Sequence, residues 1–263
     1  LRVASRPKGH VTSSSSAFRS KNSWRVSTTI RLAKMNLAVH GLEGDIQKAI
    51  TYYEDPHELV GKADYVMANP PFNVDEIDAD KIKSDPRLPF GLPGVNKKGK
   101  VSNGNYVWIS YFYSYLNEKG RAGFVMSSQA SSAGGGEAPV RQRLVETGDV
   151  DLMIAIRSNF FYTRTVPCEL WFLNRAKPEA HRDKVLMLDA RNVYRKVTRK
   201  IYDFSPEQLQ NHALVGSHGE QPCGHEDVHH KDEHEGHHHD GVAHPGQGGA
   251  LAGRPEGGAQ LVG

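Results

Sequence analysis

What most restricts the fold of this chain is a series of short apolar runs, each too brief for a helix and each bounded by turn-forming residues. The run Ala63–Ala68 (ADYVMA) stops at Asn69-Pro70-Pro71, as a buried strand followed by a loop does, because proline cannot continue a central ladder. Four more runs follow: GFVM at 123–126, LMIAI at 152–156, ELWFL at 169–173 and VLML at 185–188. Segments of helical spacing lie between them. Trp108, Phe112, Tyr115 and Leu116 recur through 106–116 (YVWISYFYSYL), which Glu118-Lys119-Gly120 closes, and Val140, Leu144 and Val145 form the stripe of 138–147. Upstream, Ser27, Thr28 and Thr29 can cap a helix through Arg31, Leu32, Ala33, Leu37 and Ala38, with Gly41 at its end. Strands alternating with helices predict an α/β sheet with helices on its faces. No long helix separates the last runs, so an antiparallel pair is expected at one edge.

The chain divides into three zones. Positions 1–26 are rich in Ser and Arg, show no hydrophobic period, and read as disordered or translated out of frame. Positions 27–210 read as folded. The stretch 211–263 is dominated by Gly, His, Pro and Glu, holds ten of the fourteen histidines, and reads as a disordered tail with too little apolar surface to offset its ordering entropy. That tail carries eight acidic residues against two basic ones, so the remaining 210 positions hold 31 Lys or Arg against 22 Asp or Glu. Such a basic body suits a polyanionic partner. No stretch reaches the ~20 apolar residues a bilayer requires, which excludes a spanning helix. With only Cys168 and Cys223, a disulfide scaffold and a cysteine-based zinc module are excluded as well. An intracellular chain is expected.

Asn69-Pro70-Pro71-Phe72 is the sharpest chemical signal. It follows a predicted strand at the carboxyl end, where open α/β sheets hold their ligands. The proline pair stiffens the backbone and removes two N–H donors, leaving carbonyls free to accept. The Asn69 carboxamide adds a neutral acceptor, and Phe72 an aromatic face. Two fixed acceptors beside a stacking face suit a planar ring with an exocyclic amine, such as adenine. That amine is a poor nucleophile because its lone pair is shared with the ring. Accepting both of its N–H bonds, at the Asn69 side chain and the Pro70 carbonyl, favours a pyramidal nitrogen that can attack an electrophilic methyl carbon. A plain strand-ending turn is the alternative reading.

Around this tetrad the chain resembles the modification subunit of type I restriction-modification systems. The similarity is carried by RLAKMNLAVHG (31–41), KADYVMANPPFN (62–73), GNYVWISYFYSYLNEKGRAGFVMSS (104–128), EAPVRQRLVETGDVDLMIAI (137–156) and NFFYTRTVPCELWFLNR (159–175). It spans about 28–210. The resemblance implies a Rossmann-like methyltransferase sheet and adenine-N6 DNA methylation from S-adenosylmethionine, with no metal. It implies that Asn69, Pro70, Pro71 and Phe72 receive the target adenine and that Phe72 stacks on it. Phe161 takes the place of the second stacking aromatic, with Phe160 the alternative by one position. Arg157, Arg164, Lys97, Lys98 and Lys100 are candidate phosphate contacts. The implied partners are double-stranded DNA and the specificity and endonuclease subunits of a type I complex, in a prokaryotic cytoplasm.

The chain also departs from that family. No glycine-rich cofactor loop is found between Leu1 and Ala68, and the family's Gly-Gln-Glu segment is replaced by Trp24-Arg25-Val26-Ser27. The acidic residue near the cofactor adenine is replaced at Ile50, leaving Glu54 and Asp55 as displaced candidates, with Asn69, for cofactor contact. A truncated domain, lacking the amino-terminal helices and the cofactor loop, is therefore expected. Three other functions compete: a non-catalytic remnant that binds DNA or a subunit, a protein glutamine-amide methyltransferase, and a metal-binding protein built on the His-rich tail. The Gly134-Gly135-Gly136 run lacks the lysine of a phosphate loop and reads as a flexible loop.

Overall fold

A computed structural model describes residues 2–5, 10–16, 23–161, 165–198 and 201–217, with side chains placed from residue 28 to 211. The main chain runs β1 (Arg2–Ser5), β2 (His10–Ser16), α1 (Ser23–Val39), β3 (Gly44–Ala49), β4 (Ala63–Ala68), β5 (Ile77–Asp78), α2 (Ala79–Ile82), β6 (Lys100–Val101) and α3 (Asn105–Tyr115). It continues through β7 (Leu116–Ser127), α4 (Gln129–Ser132), α5 (Ala138–Glu146), β8 (Val150–Ile156), β9 (Cys168–Asn174), β10 (Leu186–Asp189), β11 (Arg195–Lys196), β12 (Tyr202–Asp203) and α6 (Pro206–Ser217).

Eight strands form one sheet in the order β10-β8-β9-β7-β4-β1-β2-β3. Six run one way; β1 and β9 run against their neighbours. The antiparallel pairing expected at an edge is made by β9, which inserts between β7 and β8, while the rim strand β10 is parallel to β8. β1 and β2 fall inside 1–26, the stretch set apart above as disordered or out of frame. Ladder pairing needs only main-chain N–H and C=O groups, so a missing hydrophobic period does not prevent it.

The helix ends have local causes. At α1, Gly41 takes φ +65°, and the Gly41 and Leu42 N–H groups reach back to Ala38 at 3.0 Å and Leu37 at 2.9 Å. This pattern satisfies the last carbonyls and stops the helix where the sequence expects it. At α6, Gln208 N–H donates to Ser205 Oγ at 3.2 Å while Ser205 N–H donates to Gln208 Oε1 at 2.9 Å. That reciprocal cap starts a helix that runs past 210, where the tail was expected to begin.

α3 is the core of the molecule. Ten of its eleven residues are buried, so it presents apolar surface on every side rather than along one stripe. Two of its aromatic residues spend their polar tips on one partner: Trp108 Nε1 donates to Tyr52 Oη at 2.7 Å, and Tyr111 Oη donates to the Tyr52 carbonyl at 2.8 Å. Beside it, Arg87 is buried and paired with Asp85 at 2.6 Å. The same guanidinium donates to the Thr51 and Glu54 carbonyls at 2.9 and 3.1 Å and lies over the Tyr111 ring at 4.1 Å. It thereby ties the β3–β4 loop to α3.

Candidate active site

Parallel pairing of β4 with β7 sets Ala68 against Phe124, so both strands end at the same edge of the sheet. β8 ends there too, because its partner β9 begins there: Ile156 pairs with Cys168, and Ser127 pairs with the same residue. The loop after β4, the turn after β7 and the segment after β8 therefore meet at one edge, the place such sheets use for ligands.

Asn69 is exposed, Pro70 is buried, and Pro71 and Phe72 are half-buried. Among the described residues neither the Asn69 side chain nor the Pro70 carbonyl has a hydrogen-bond partner. Phe72 packs on the main core and also on a second apolar group formed by Ile154, Ile156, Cys168 and Ala190. Phe160 and Phe161 rest on that same second group, with their rings 5.8 Å apart at 76°. The structure thus gathers Phe72, Phe160 and Phe161, which lie some ninety positions apart in sequence, around one cluster. Phe160 is also against Phe204, at 4.5 Å.

The loop leaving Phe72 is held by a lock that the sequence reading missed. Asn73 adopts φ +53°, a left-handed conformation that asparagine tolerates better than most residues. Its N–H donates to Asn105 Oδ1 at 2.9 Å, and its Oδ1 accepts from Asn105 Nδ2 at 2.9 Å and Asn103 Nδ2 at 3.2 Å. Asn105 is 1% exposed. Gly104 N–H adds a bond to the Val74 carbonyl at 2.7 Å. Asn103-Gly104-Asn105 is visible as a turn signal in the sequence, but its partner Asn73 is not.

Behind the turn after β7 lies a second polar group. Ser131 Oγ donates to Glu169 Oε1 at 2.7 Å, and Trp171 Nε1 donates to Glu169 Oε2 at 3.1 Å. Burial pushes the Glu169 carboxyl above its ordinary value, and these two bonds pull the other way. Tyr106 donates to the Ala130 carbonyl at 2.7 Å, and its phenol is pushed up to about 12 by burial. Two of these bonds, at Ser131 and at the Ala130 carbonyl, fix α4.

The remaining candidates lie in separate surroundings. Glu54 accepts the Ile50 N–H at 3.1 Å and Asp55 the Leu59 N–H at 3.0 Å, so both carboxylates brace their own turn. Lys100 pairs with Asp78 at 3.0 Å. Lys97 and Lys98 are exposed at a turn tip organised by Asn96, which accepts the Lys98 N–H at 2.9 Å. Arg157 lies against two tyrosine rings, and Arg164 falls outside the described residues. Gly136 meets the Gly94 main chain, so the glycine run serves a backbone contact. The histidines from 212 onward have no described side chains. Among the described residues no group of three or more His, Cys, Asp or Glu could hold a metal, and no helix is long and apolar enough to cross a membrane.

Comparison with known proteins agrees with this architecture. Residues 23–230 match the family described as N-6 DNA Methylase. The type I restriction enzyme MjaIX methylase subunit of Methanocaldococcus jannaschii is 41% identical over 184 residues, covering 68% of this chain and 32% of that protein. The HindI methylase subunit of Haemophilus influenzae is 29% identical over 202 residues, covering 76% and 44%. The chain therefore spans a third to under a half of these relatives. Among solved structures, the type I restriction-modification methyltransferase subunit from Streptococcus thermophilus superposes with a TM-score of 0.64 at 22% identity, over 73% of this chain and 40% of that one; that likeness concerns the fold. With its matched span covering most of its length, this chain belongs to the N-6 DNA methylase family.

Proposed function

We propose that the chain supplies the base-accepting half of an adenine-N6 DNA methyltransferase, as part of the modification subunit of a type I restriction-modification system. One observation carries the reading: Asn69 stands exposed at the tip of β4, with its side chain and the Pro70 carbonyl both unpartnered among the described residues. Those two acceptors take the two N–H bonds of a swung-out adenine, whose lost stacking is replaced by aromatic faces. The bonds strengthen as positive charge builds on the attacking nitrogen, so they act on the transition state more than on the bound base. Phe72 covers one face of the ring. Phe161 suits the other better than Phe160, whose ring is already taken up by Phe204.

The proposed methyl donor is S-adenosylmethionine, yet the residues offered for it do not fit it. Glu54 and Asp55 are engaged in their own turn. β1, beside β4, runs antiparallel to it and brings no strand carboxyl end next to Asn69. That misfit favours a second reading for the chain by itself: a piece that presents a base, binds DNA or a subunit, and catalyses nothing alone. Within this proposal 27–210 is the methyltransferase portion. Duplex DNA and the specificity and endonuclease subunits are its partners, the prokaryotic cytoplasm is its place, and no metal is needed. The glutamine-amide alternative is disfavoured by Phe72, where that chemistry usually has tyrosine.

A chimera tests the reading. With 28–210 replacing the matching span of the MjaIX subunit, labelled methyl transfer to adenine in DNA is expected. Asn69→Ala should lower kcat roughly 10²–10³-fold. A chimera that folds and methylates equally well with alanine at 69 overturns the proposal.

A further inference from the structure

Arg157, the first residue after β8, occupies a corner made by two phenol rings. Its guanidinium carbon lies 4.1 Å from the Tyr194 ring centre and 3.8 Å from that of Tyr202. The two rings are 5.1 Å apart and meet at 88°, so they form perpendicular walls around the cation. Ring faces attract a guanidinium without using its N–H groups. Among the described residues its one hydrogen bond runs from Nε to the Ser158 carbonyl at 3.4 Å, so the terminal N–H groups are unspent. A guanidinium seated over two rings, with no oxygen partner on its terminal nitrogens among the described residues, keeps donors for contact with a tetrahedral oxyanion.

Local charge favours the same ligand. The carboxylates on the elements around the corner are already matched: Asp189 by Arg191 and Asp203 by Arg195, at 2.6 and 2.7 Å. Lys196 stands exposed on the same hairpin. Arg157, half-buried in its corner, is thus a cation without a carboxylate partner among the described residues. The corner also adjoins the aromatic pair of the candidate site. Phe160 and Phe161 follow Arg157 by three and four positions, and Phe160 packs on Phe204, two residues after Tyr202.

We infer that Arg157, cornered by Tyr194 and Tyr202, is a binding subsite for a DNA backbone phosphate flanking the extruded adenine. The inference rests on the proposed adenine pocket for the identity of the anion. The phosphate fixes the register of the strand, and the Asn69 loop takes the base.

The test uses the 263-residue chain and fluorescence anisotropy on two labelled duplexes, one with an unpaired adenine and one with an unpaired thymine, across a salt series. Arg157→Gln, which keeps a long stem against the rings, is expected to weaken both duplexes equally, by about tenfold, and to reduce the salt slope by about 1. Arg157→Lys, which keeps the charge without the fork, is expected to retain the slope and lose affinity about threefold. A structural role alone would leave the slope unmoved. Wild-type affinity and slope in the glutamine variant overturn the subsite, as does wild-type affinity in the lysine variant if the first fails to fold. Absence of any DNA binding by the unaltered chain also overturns it. Loss of adenine preference with the Arg157 effect intact overturns the adenine pocket and leaves the phosphate contact standing. Adenine preference with no Arg157 effect does the reverse.

Discussion

Asn73 touches no ligand in the proposed site, yet the direction in which Phe72 points depends on it. Its left-handed backbone is held by the Asn105 carboxamide, which accepts with one atom and donates with the other. Asn105→Ala removes both bonds and is expected to cost about 1–3 kcal/mol, read by denaturant unfolding. It should also speed hydrogen exchange at the Asn73 amide. Asn105→Asp keeps the acceptor for that amide but sets a carboxylate against Asn73 Oδ1, so it should restore slow exchange only in part. The tetrad at 69–72 is legible from sequence because its four members are contiguous and each restricts the backbone or supplies a lone pair. The lock is not, because its halves are 32 residues apart and asparagine is common in turns.

Elements were legible where packing repeats within a few residues. ADYVMA is β4 to the residue, and the aromatic stretch predicted over 106–116 is α3. The run predicted at 123–126 grows to Leu116–Ser127, since its amino-terminal half carries charged residues that a pattern of apolar runs passes over. β3 escaped for the same reason: only Ile46 and Ala49 of GDIQKA are buried. Arg87, a charged residue among turn-formers in the sequence (SDPRLP), is 2% exposed in the fold. Removing its partner by Asp85→Ala strands a buried cation and is expected to cost about 3–5 kcal/mol. Burial raises the Asp85 carboxyl and the Arg87 hydrogen bonds outweigh that, leaving it below its ordinary value of 3.8. A lowered carboxyl contributes stability that is complete above its unfolded value and disappears as pH falls through the folded one. The unaltered chain should therefore lose stability as pH drops below about 4, and Asp85→Ala should show less of that loss in pH-dependent melts.

At the scale of the molecule, the alternation of strands and helices announces an α/β sheet, but not its order. Insertion of β9 between β7 and β8 is decided by long-range pairing that no local pattern records. The consequence of β1 running against β4 is also global: a basin for an adenosyl cofactor needs neighbouring strands that end together. Calorimetry of S-adenosylmethionine against the 263-residue chain is expected to give a Kd weaker than about 100 µM, or a binding free energy no more favourable than about −5.5 kcal/mol. Micromolar affinity would show that these residues build a cofactor site after all. The meeting of the Gly94 and Gly136 main chains bears on how such a molecule can change over time. A methyl group at Gly136 would have to occupy space the opposite backbone already fills, and Arg143, bonded to the Phe90 carbonyl at 2.7 Å, tethers the loop that carries Gly94. No exchange at Gly94 can make room, because every amino acid carries the main-chain atoms that fill the space, so position 136 is closed to anything larger than hydrogen for as long as the two backbones touch.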